Sequence, residues 1–187
     1  MQTQFRNSHA ITQQTLLPAP TKPSILVRNP LLDDGARMWR IAKDSRVLDA
    51  NSSYAYLLWC RDFATTSVVA EIGGEVAGFV IGYVRPQEPG TLFVWQVAVD
   101  HAFRGRGVGV AMLDVLLESL ADQGVSLLET TISPDNTASI AMFGALARRR
   151  RSAMTRTPLF TPGHFPDNHE AELLYRIAPA NDQEIRR

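Results

Sequence analysis

The sequence predicts one mixed α/β domain with a central, mostly antiparallel sheet and flanking helices, and three observations carry that reading. Seven short runs read as strands and four longer stretches as helices, in the order β α α β β β α β α β β. Gly73-Gly74 joins two apolar runs and permits the positive φ angles of a tight hairpin. A strand ending at Val99 empties into an Arg/Gly-rich loop that opens a long helix and then another strand, a βαβ crossover within the otherwise antiparallel sheet.

Ile25 to Arg28 reads as a short strand ended by Asn29-Pro30. Asp33 to Lys43 follows as a helix, with acidic residues in its first turn and Met38, Trp39 and Ile41 further along. Asn51, Ser52 and Ser53 supply capping oxygens for a second helix to about Phe63, on which Tyr54, Leu57, Leu58 and Arg61 occupy neighbouring turns. Asp49 stands just ahead of it. Ser67 to Ile72 and Val76 to Val84 form the hairpin, and Pro86, Pro89 and Gly90 separate it from a strand at Thr91 to Val99. The helix after the Arg/Gly loop runs from Val108 to Gln123, is apolar at Val108, Met112, Val115, Leu116 and Leu120, and ends at Gly124. Ser126 to Ile132 is a strand, and Pro134-Asp135-Asn136 turns the chain into a helix from about Thr137 to Ala147. Arg151 to Leu159 and Glu170 to Ile177 read as two last strands. Residues 1–24 are polar, without an apolar run, and are expected to be a disordered leader; residues 179–187 form a flexible tail, leaving residues 25–178 as the domain.

The 187 residues suffice for one domain with a substantial core. A formal net charge of +0 gives no general attraction to nucleic acid, and no stretch reads as a signal peptide or membrane span. The run Arg148 to Arg151 reads as complementing a helix end rather than as a nucleic-acid surface, with one arginine free for a phosphate contact. The single cysteine, Cys60, excludes an internal disulfide and a Cys-based zinc site within a monomer, which suits a reducing compartment. It reads as a small apolar side chain within a helix.

The Arg/Gly loop is the most informative chemical feature. Free N–H groups at a helix N-terminus, glycines that admit a ligand close to the main chain, and guanidinium groups together suit a pyrophosphate. Val110 and Met112 stand where a G-x-G-x-x-G loop beginning at Gly105 or Gly107 needs glycine, and no Gly-Lys-Ser/Thr triplet makes a Walker loop. The pattern present is R-x-x-G-x-G, as Arg104, Gly107 and Gly109, directly after a strand. It resembles the acetyl-CoA loop of the GNAT superfamily of N-acetyltransferases. A second element, Asn136-Thr137-Ala138-Ser139, is similar to the Asn-x-x-Ser/Ala pattern that lies beside the pantetheine arm in that superfamily, although Asn136 also suits a plain helix cap. The resemblance implies acetyl-CoA as co-substrate, with no metal. It places the cofactor against Val97, Ala98 and Val99, the loop residues Arg104, Gly105, Arg106, Gly107, Val108 and Gly109, and Asn136 and Ser139. The chain departs from many members at Phe143, where a tyrosine that protonates the departing thiolate is usual.

Longer strings narrow the resemblance. LDANSSYAYLLWCRDF (48–63), TSVVAE (66–71), FVWQVAVD (93–100), TISPDNTASIAMF (131–143) and HFPDNHEAELLYRI (164–177) are similar to the L-2,4-diaminobutyrate acetyltransferases of ectoine biosynthesis. The resemblance implies acetylation of the γ-amino group of L-2,4-diaminobutyrate by a cytoplasmic homodimer, without nucleic acid or membrane as partner. Its substrate-site set, matched onto this sequence, is Asp49, Tyr54, Trp95, His169 and Glu172. These residue types suit a small amino acid with two ammonium groups. Carboxylates make charge-assisted hydrogen bonds of roughly 1.5 to 3 kcal/mol each when desolvated, and aromatic faces tolerate a cation. Strand alternation places Glu170 and Glu172 on one face, with His169 opposite.

The nucleophile must be a neutral amine, and an alkylammonium with a pKa of about 10.4 reaches that form at pH 7 for about 4 to 5 kcal/mol. Repulsion between the two ammonium groups and desolvation lower that cost. The strand Thr91 to Val99, where many relatives hold a glutamate, contains no acid. The base is open between His169 and water-mediated action of Glu172 or Asp49, and Asp49 alternatively only orients the amine. A main-chain N–H from Val97 to Val99 is expected to meet the oxyanion, and a thiol pKa of about 8.5 makes the leaving group tolerant of Phe143. Alternatives from other classes are acetylation of another small diamine or a protein amine, and a non-catalytic acyl-CoA sensor.

Overall fold

The computed structural model describes residues 24–45, 48, 51–167 and 170–179. Seven strands, β1 (Leu26–Arg28), β2 (Val68–Ile72), β3 (Glu75–Arg85), β4 (Glu88–Val99), β5 (Leu127–Ile132), β6 (Ser152–Phe160) and β7 (Glu172–Pro179), form one sheet in the order β1-β2-β3-β4-β5-β7-β6. All neighbours run antiparallel except β4 and β5. Four helices cover it: α1 (Gly35–Ser45), α2 (Ser53–Asp62), α3 (Val108–Leu120) and α4 (Thr137–Arg149). The element order and the single parallel crossover are those expected from the sequence. Almost all of the expected leader and tail lies outside the described residues.

Two apolar cores sit on opposite faces of the sheet. On one, α3 contributes Met112, Leu113 and Leu116 and α4 contributes Phe143 and Leu146, packed on Val80, Leu92 and Leu128. On the other, Met38 and Ile41 of α1 and Tyr56 and Trp59 of α2 pack on Val69, Phe79 and Ile81. A fully buried side chain of this size contributes roughly 1.5 to 3 kcal/mol relative to exposure, so both faces specify their helices. The hairpin turns where expected, with φ of 62° at Gly73 and 84° at Gly74.

Several boundaries differ from the sequence reading for local reasons. The helix expected from Asp33 begins as a short 3-10 turn at Leu32–Asp34. There the Asp34 carboxylate accepts the Leu31 N–H at 2.7 Å and pairs with Arg28 at 2.7 Å, tying β1 to the turn. Strand β4 begins at Glu88, before the expected Thr91; the ladder passes from Arg85↔Glu88 to Val84↔Leu92, so Pro89 falls in an irregular stretch where its missing N–H is tolerated. Helix α3 ends at Leu120 and tightens into a 3-10 turn before Gly124, whose φ is 82°. Arg151 turns the chain at a φ of 52°, so β6 starts at Ser152. Glu170 precedes β7, which starts at Glu172, and the expected strand pairing of the two glutamates on one face does not form.

Charged brackets hold the layers together. Asp114 of α3 accepts from Arg149 at 2.6 Å and Arg150 at 2.7 Å, which commits the middle of the arginine run to joining α3 and α4. Arg37 of α1 reaches Asp100 at 2.7 Å. Glu129, nearly buried on β5, pairs with Arg85 of β3 at 2.7 Å. Cys60 is buried, with its thiol 3.5 Å from Met38 Sδ, and burial pushes its pKa up to about 11, as suits an inert apolar role.

Burial opposes ionisation of Asp34, Asp100 and Asp114, but it is outweighed in each by hydrogen bonds, from Arg28 and the Leu31 N–H, from the Ala102 N–H and Arg37, and from Arg150 and Arg149. All three carboxyls are therefore held below their ordinary range. A depressed native pKa stabilises the fold above the unfolded value of about 3.9 and loses that contribution as pH falls through the native value. The contribution of these groups to urea midpoints is expected to be fully present and constant between pH 7 and 5 and to be lost as the pH falls below about 4. Asp34→Asn, measured over the same series, should give a shallower acid limb.

Candidate active site

Strands β4 and β5 share hydrogen bonds only from Thr91↔Leu127 to Val94↔Thr130, after which they part. On its other edge β4 stays paired with β3 through Val97, Ala98 and Val99. The main chain of these three residues thus has no strand partner on the β5 side. A β-bulge accompanies the parting: Ile81 pairs with Gln96 and Gly82 with Val94, so Trp95 is the extra residue.

The gap opens into a cleft of about 410 Å³. Val97, Ala98 and Val99 form one wall, and Asn136, Ser139 and Met142 of α4 form another. The floor is the N-terminus of α3, with Arg104, Gly105, Gly107, Val108 and Gly109. Gly105 and Gly107 hold φ of 74° and 75°, the left-handed region that turns successive N–H groups inward. Ala111 is the first residue of α3 whose N–H is bonded to the preceding turn, to Gly107 O at 3.0 Å, so the N–H groups of Val108, Gly109 and Val110 have no helical acceptor. Such an end suits an anion. A Cβ at Gly109 would meet Met142 Sδ and displace that side chain from the cleft wall.

The expected cofactor residues assemble at this cleft, with one exception. Arg104 borders it, and its Nε donates to Val99 O at 3.1 Å, which fastens the loop to β4. Arg106 instead lies over the Phe103 ring, 5.4 Å from its centroid, and forms no part of the wall. Asn136 both borders the cleft and caps α4, its side-chain oxygen accepting the Ser139 N–H at 3.1 Å. Phe143 is a core residue, 1 % exposed, and does not border the cleft. The sequence reading passed over Ser45, Leu48, Phe103 and Val110, which also line the cleft. They are small or apolar residues of unremarkable spacing, and only the three-dimensional approach of α1 to the Arg/Gly loop distinguishes them.

The expected substrate residues are dispersed more widely. Asp49 and His169 lie outside the described residues. Tyr54 on α2 is 65 % exposed and Trp95 is 49 % exposed, and neither borders the cleft. Trp95 packs on Trp59 at 5.1 Å between centroids, and Trp59 continues to Phe63 at 4.6 Å, forming an aromatic row under α2. Glu172 is half-buried at the start of β7, opposite Phe160. Next to Trp95, the buried Tyr56 hydroxyl donates to Gln96 Oε1 at 3.0 Å. Burial pushes the Tyr56 phenol up, moderated by hydrogen bonds with Asn51 and Gln96. Among the described residues no cluster suits a metal ion, and no helix is long and apolar enough to cross a membrane.

Comparison with known proteins places this architecture. Residues 34–147 match the acetyltransferase (GNAT) family. The chain is 65 % identical over 161 residues to the L-2,4-diaminobutyric acid acetyltransferase of Nocardia farcinica, covering 86 % of this chain and 83 % of that protein. It is 55 % identical over 156 residues to the enzyme of that name from Streptomyces coelicolor, covering 82 % and 92 %. The structure superposes with a TM-score of 0.79 and 39 % identity on the diaminobutyrate acetyltransferase EctA from Paenibacillus lautus in complex with its substrate L-2,4-diaminobutyric acid and coenzyme A, covering 84 % of this chain and 96 % of that one. A match to Ard1 from Thermoplasma volcanium, with a TM-score of 0.66 at 22 % identity, reflects the shared fold alone. The sheet that parts at Val94, the glycine-rich loop at the N-terminus of α3, and these similarities agree: the chain belongs to the GNAT acetyltransferases and, within them, to the L-2,4-diaminobutyrate acetyltransferase family.

Proposed function

We propose that this protein transfers the acetyl group of acetyl-CoA to the γ-amino group of L-2,4-diaminobutyrate, the acetylation that precedes cyclisation to ectoine. The cleft between the parted strands is the observation that carries the reading. It joins an N-terminal helix cradle, suited to a pyrophosphate, to an apolar channel beside a strand edge that the β5 ladder no longer covers. When bound, acetyl-CoA supplies an acyl group activated as a thioester. The residues proposed to hold it are Arg104, Gly105, Gly107, Val108 and Gly109 at the phosphates and Asn136, Ser139 and Met142 along the arm.

Main-chain N–H groups within Val97 to Val99 stand ready to stabilise negative charge on the acyl oxygen as the amine attacks, because the strand edge presents them already oriented. Trp95 and Tyr54 enclose the short amino-acid chain, and Asp49 and Glu172 receive its ammonium groups. His169 takes the proton, or Glu172 or Asp49 does so through water. The buried Cys60 has a raised pKa and no place at the cleft, which supports direct transfer over a covalent acyl-enzyme. Residues 25–178 constitute the catalytic unit, acting in the cytoplasm as a homodimer. Leu159 and Phe160, exposed on the edge strand β6, support such pairing.

The decisive experiment is a thiol-release assay with acetyl-CoA and L-2,4-diaminobutyrate, ornithine, lysine, spermidine and a peptide, with NMR to locate the acetyl group. Preferred γ-acetylation of diaminobutyrate is expected; turnover of the peptide alone would overturn the substrate assignment. Asp49→Ala and Glu172→Ala should each lower kcat/KM for diaminobutyrate by about tenfold or more while leaving acetyl-CoA affinity within twofold, since each removes a charge-assisted hydrogen bond. Normal turnover in both would refute the site. Arg104→Ala should do the reverse, raising the Kd for acetyl-CoA measured by calorimetry and reducing the thermal protection given by saturating acetyl-CoA.

A further inference from the structure

We infer that Tyr56 and Gln96 form a buried positioning clamp that sets the substrate pocket by locking α2 onto the bulge of β4. Tyr56 is completely buried and Gln96 nearly so, and the tyrosine hydroxyl donates to Gln96 Oε1 at 3.0 Å. Two separate pieces of chain thus meet at one hydrogen bond: the first turns of α2, and β4 immediately beside its extra residue, Trp95.

The residues proposed to touch diaminobutyrate adjoin this junction in sequence. Tyr54 lies two positions before Tyr56, and Trp95 directly precedes Gln96. Tyr54 and Trp95 are both substantially exposed, and Trp95 rests on Trp59 of α2 at 5.1 Å between centroids, so its setting depends on how α2 is held. A bulged strand also lacks a regular ladder to fix the angle at which its extra residue projects. The hydrogen bond from Tyr56 supplies that constraint from within the core, where an unmade bond leaves a desolvated polar atom and no water replaces it. The clamp touches neither substrate. It acts through Tyr54 and Trp95, and it rests on the proposal that these two residues line the diaminobutyrate site.

The test is a cycle of Tyr56→Phe, Gln96→Leu and the double variant, with KM for diaminobutyrate, Kd for acetyl-CoA and thermal midpoint measured for each. Each single change is expected to raise KM for diaminobutyrate about tenfold, corresponding to one lost buried hydrogen bond, with Kd for acetyl-CoA within twofold of the starting value. Because both remove the shared Tyr56–Gln96 bond, the double variant should lose less than the sum of the two single changes. It also replaces both polar partners by apolar groups, so it remains measurable if a single variant folds poorly. A merely structural role would lower the midpoint and weaken both ligands together, and that result would overturn the proposal. Tyr54→Ala and Trp95→Ala complete the set. If they raise KM for diaminobutyrate and the clamp variants do not, the clamp is refuted and the site stands. If none of the four changes it, the site assignment fails and the clamp with it.

Discussion

Beyond Val94 and Thr130 two parallel strands cease to share hydrogen bonds, and most of what this molecule can do depends on that parting. A continuous ladder would satisfy the main chain of Val97 to Val99 on both edges and leave no room for a ligand between them. By stopping the ladder while the strands continue, the fold keeps a polar strand edge open inside a largely apolar cleft. The open edge is tolerated because β3 holds the opposite side of β4 throughout, and because α3 and α4 pack across the gap rather than into it. Gly109 leaves room for the Met142 side chain beside the cleft, and left-handed glycines precede α3, whose first N–H groups have no helical acceptor.

Rigid attachments surround this opening on every side. Asp100, at the end of β4, is bonded by Arg37 of α1, and Arg104 is bonded to Val99, so the phosphate-type loop leaves the strand at a fixed angle. Asp114 binds the last turn of α4 to the middle of α3 through two guanidinium groups. These pairs are partly exposed and individually modest in energy, but each joins two elements that border the cleft. Their value lies in orientation more than in net stability, as is proper for a site whose donors must be in place before the ligand arrives.

The residues expected at the cofactor gather at the cleft while those expected at the substrate do not, for a physical reason. The loop Arg104 to Gly109 and the cap at Asn136 are local devices, in which the residues that act together are neighbours in the chain and their types follow from turn and cap chemistry. Tyr54, Trp95 and Glu172 come from three distant elements, and residue type alone does not reveal how far apart those elements stand. The family strings pointed to them as a set, yet Tyr54 and Trp95 lie on the α2 side of the sheet, away from the cleft wall. Tyr56 and Gln96 carried no signal: a tyrosine at a core position of a helix and a glutamine in a strand look ordinary until one hydroxyl is seen to join them. The boundary errors had a similar origin. Asp34 was read as a charge favouring a helix end, whereas its carboxylate is engaged by Arg28, and Glu170 was assigned to a strand that starts only at Glu172.

The extra residue at Trp95 also shifts the reading frame of β4. Before it, even-numbered Leu92 and Val94 face the core under α3, whereas after it even-numbered Gln96 and Ala98 face the α1 and α2 side and Val97 and Val99 turn toward α3. One strand therefore serves two cores in opposite phase, and the phase is held by a single position. Substitution at Trp95 changes a side chain, but loss of the residue would invert every side chain on one half of the strand relative to the other. A one-residue change in length here would carry Val97 and Val99, which line the cleft, to the other face of the sheet.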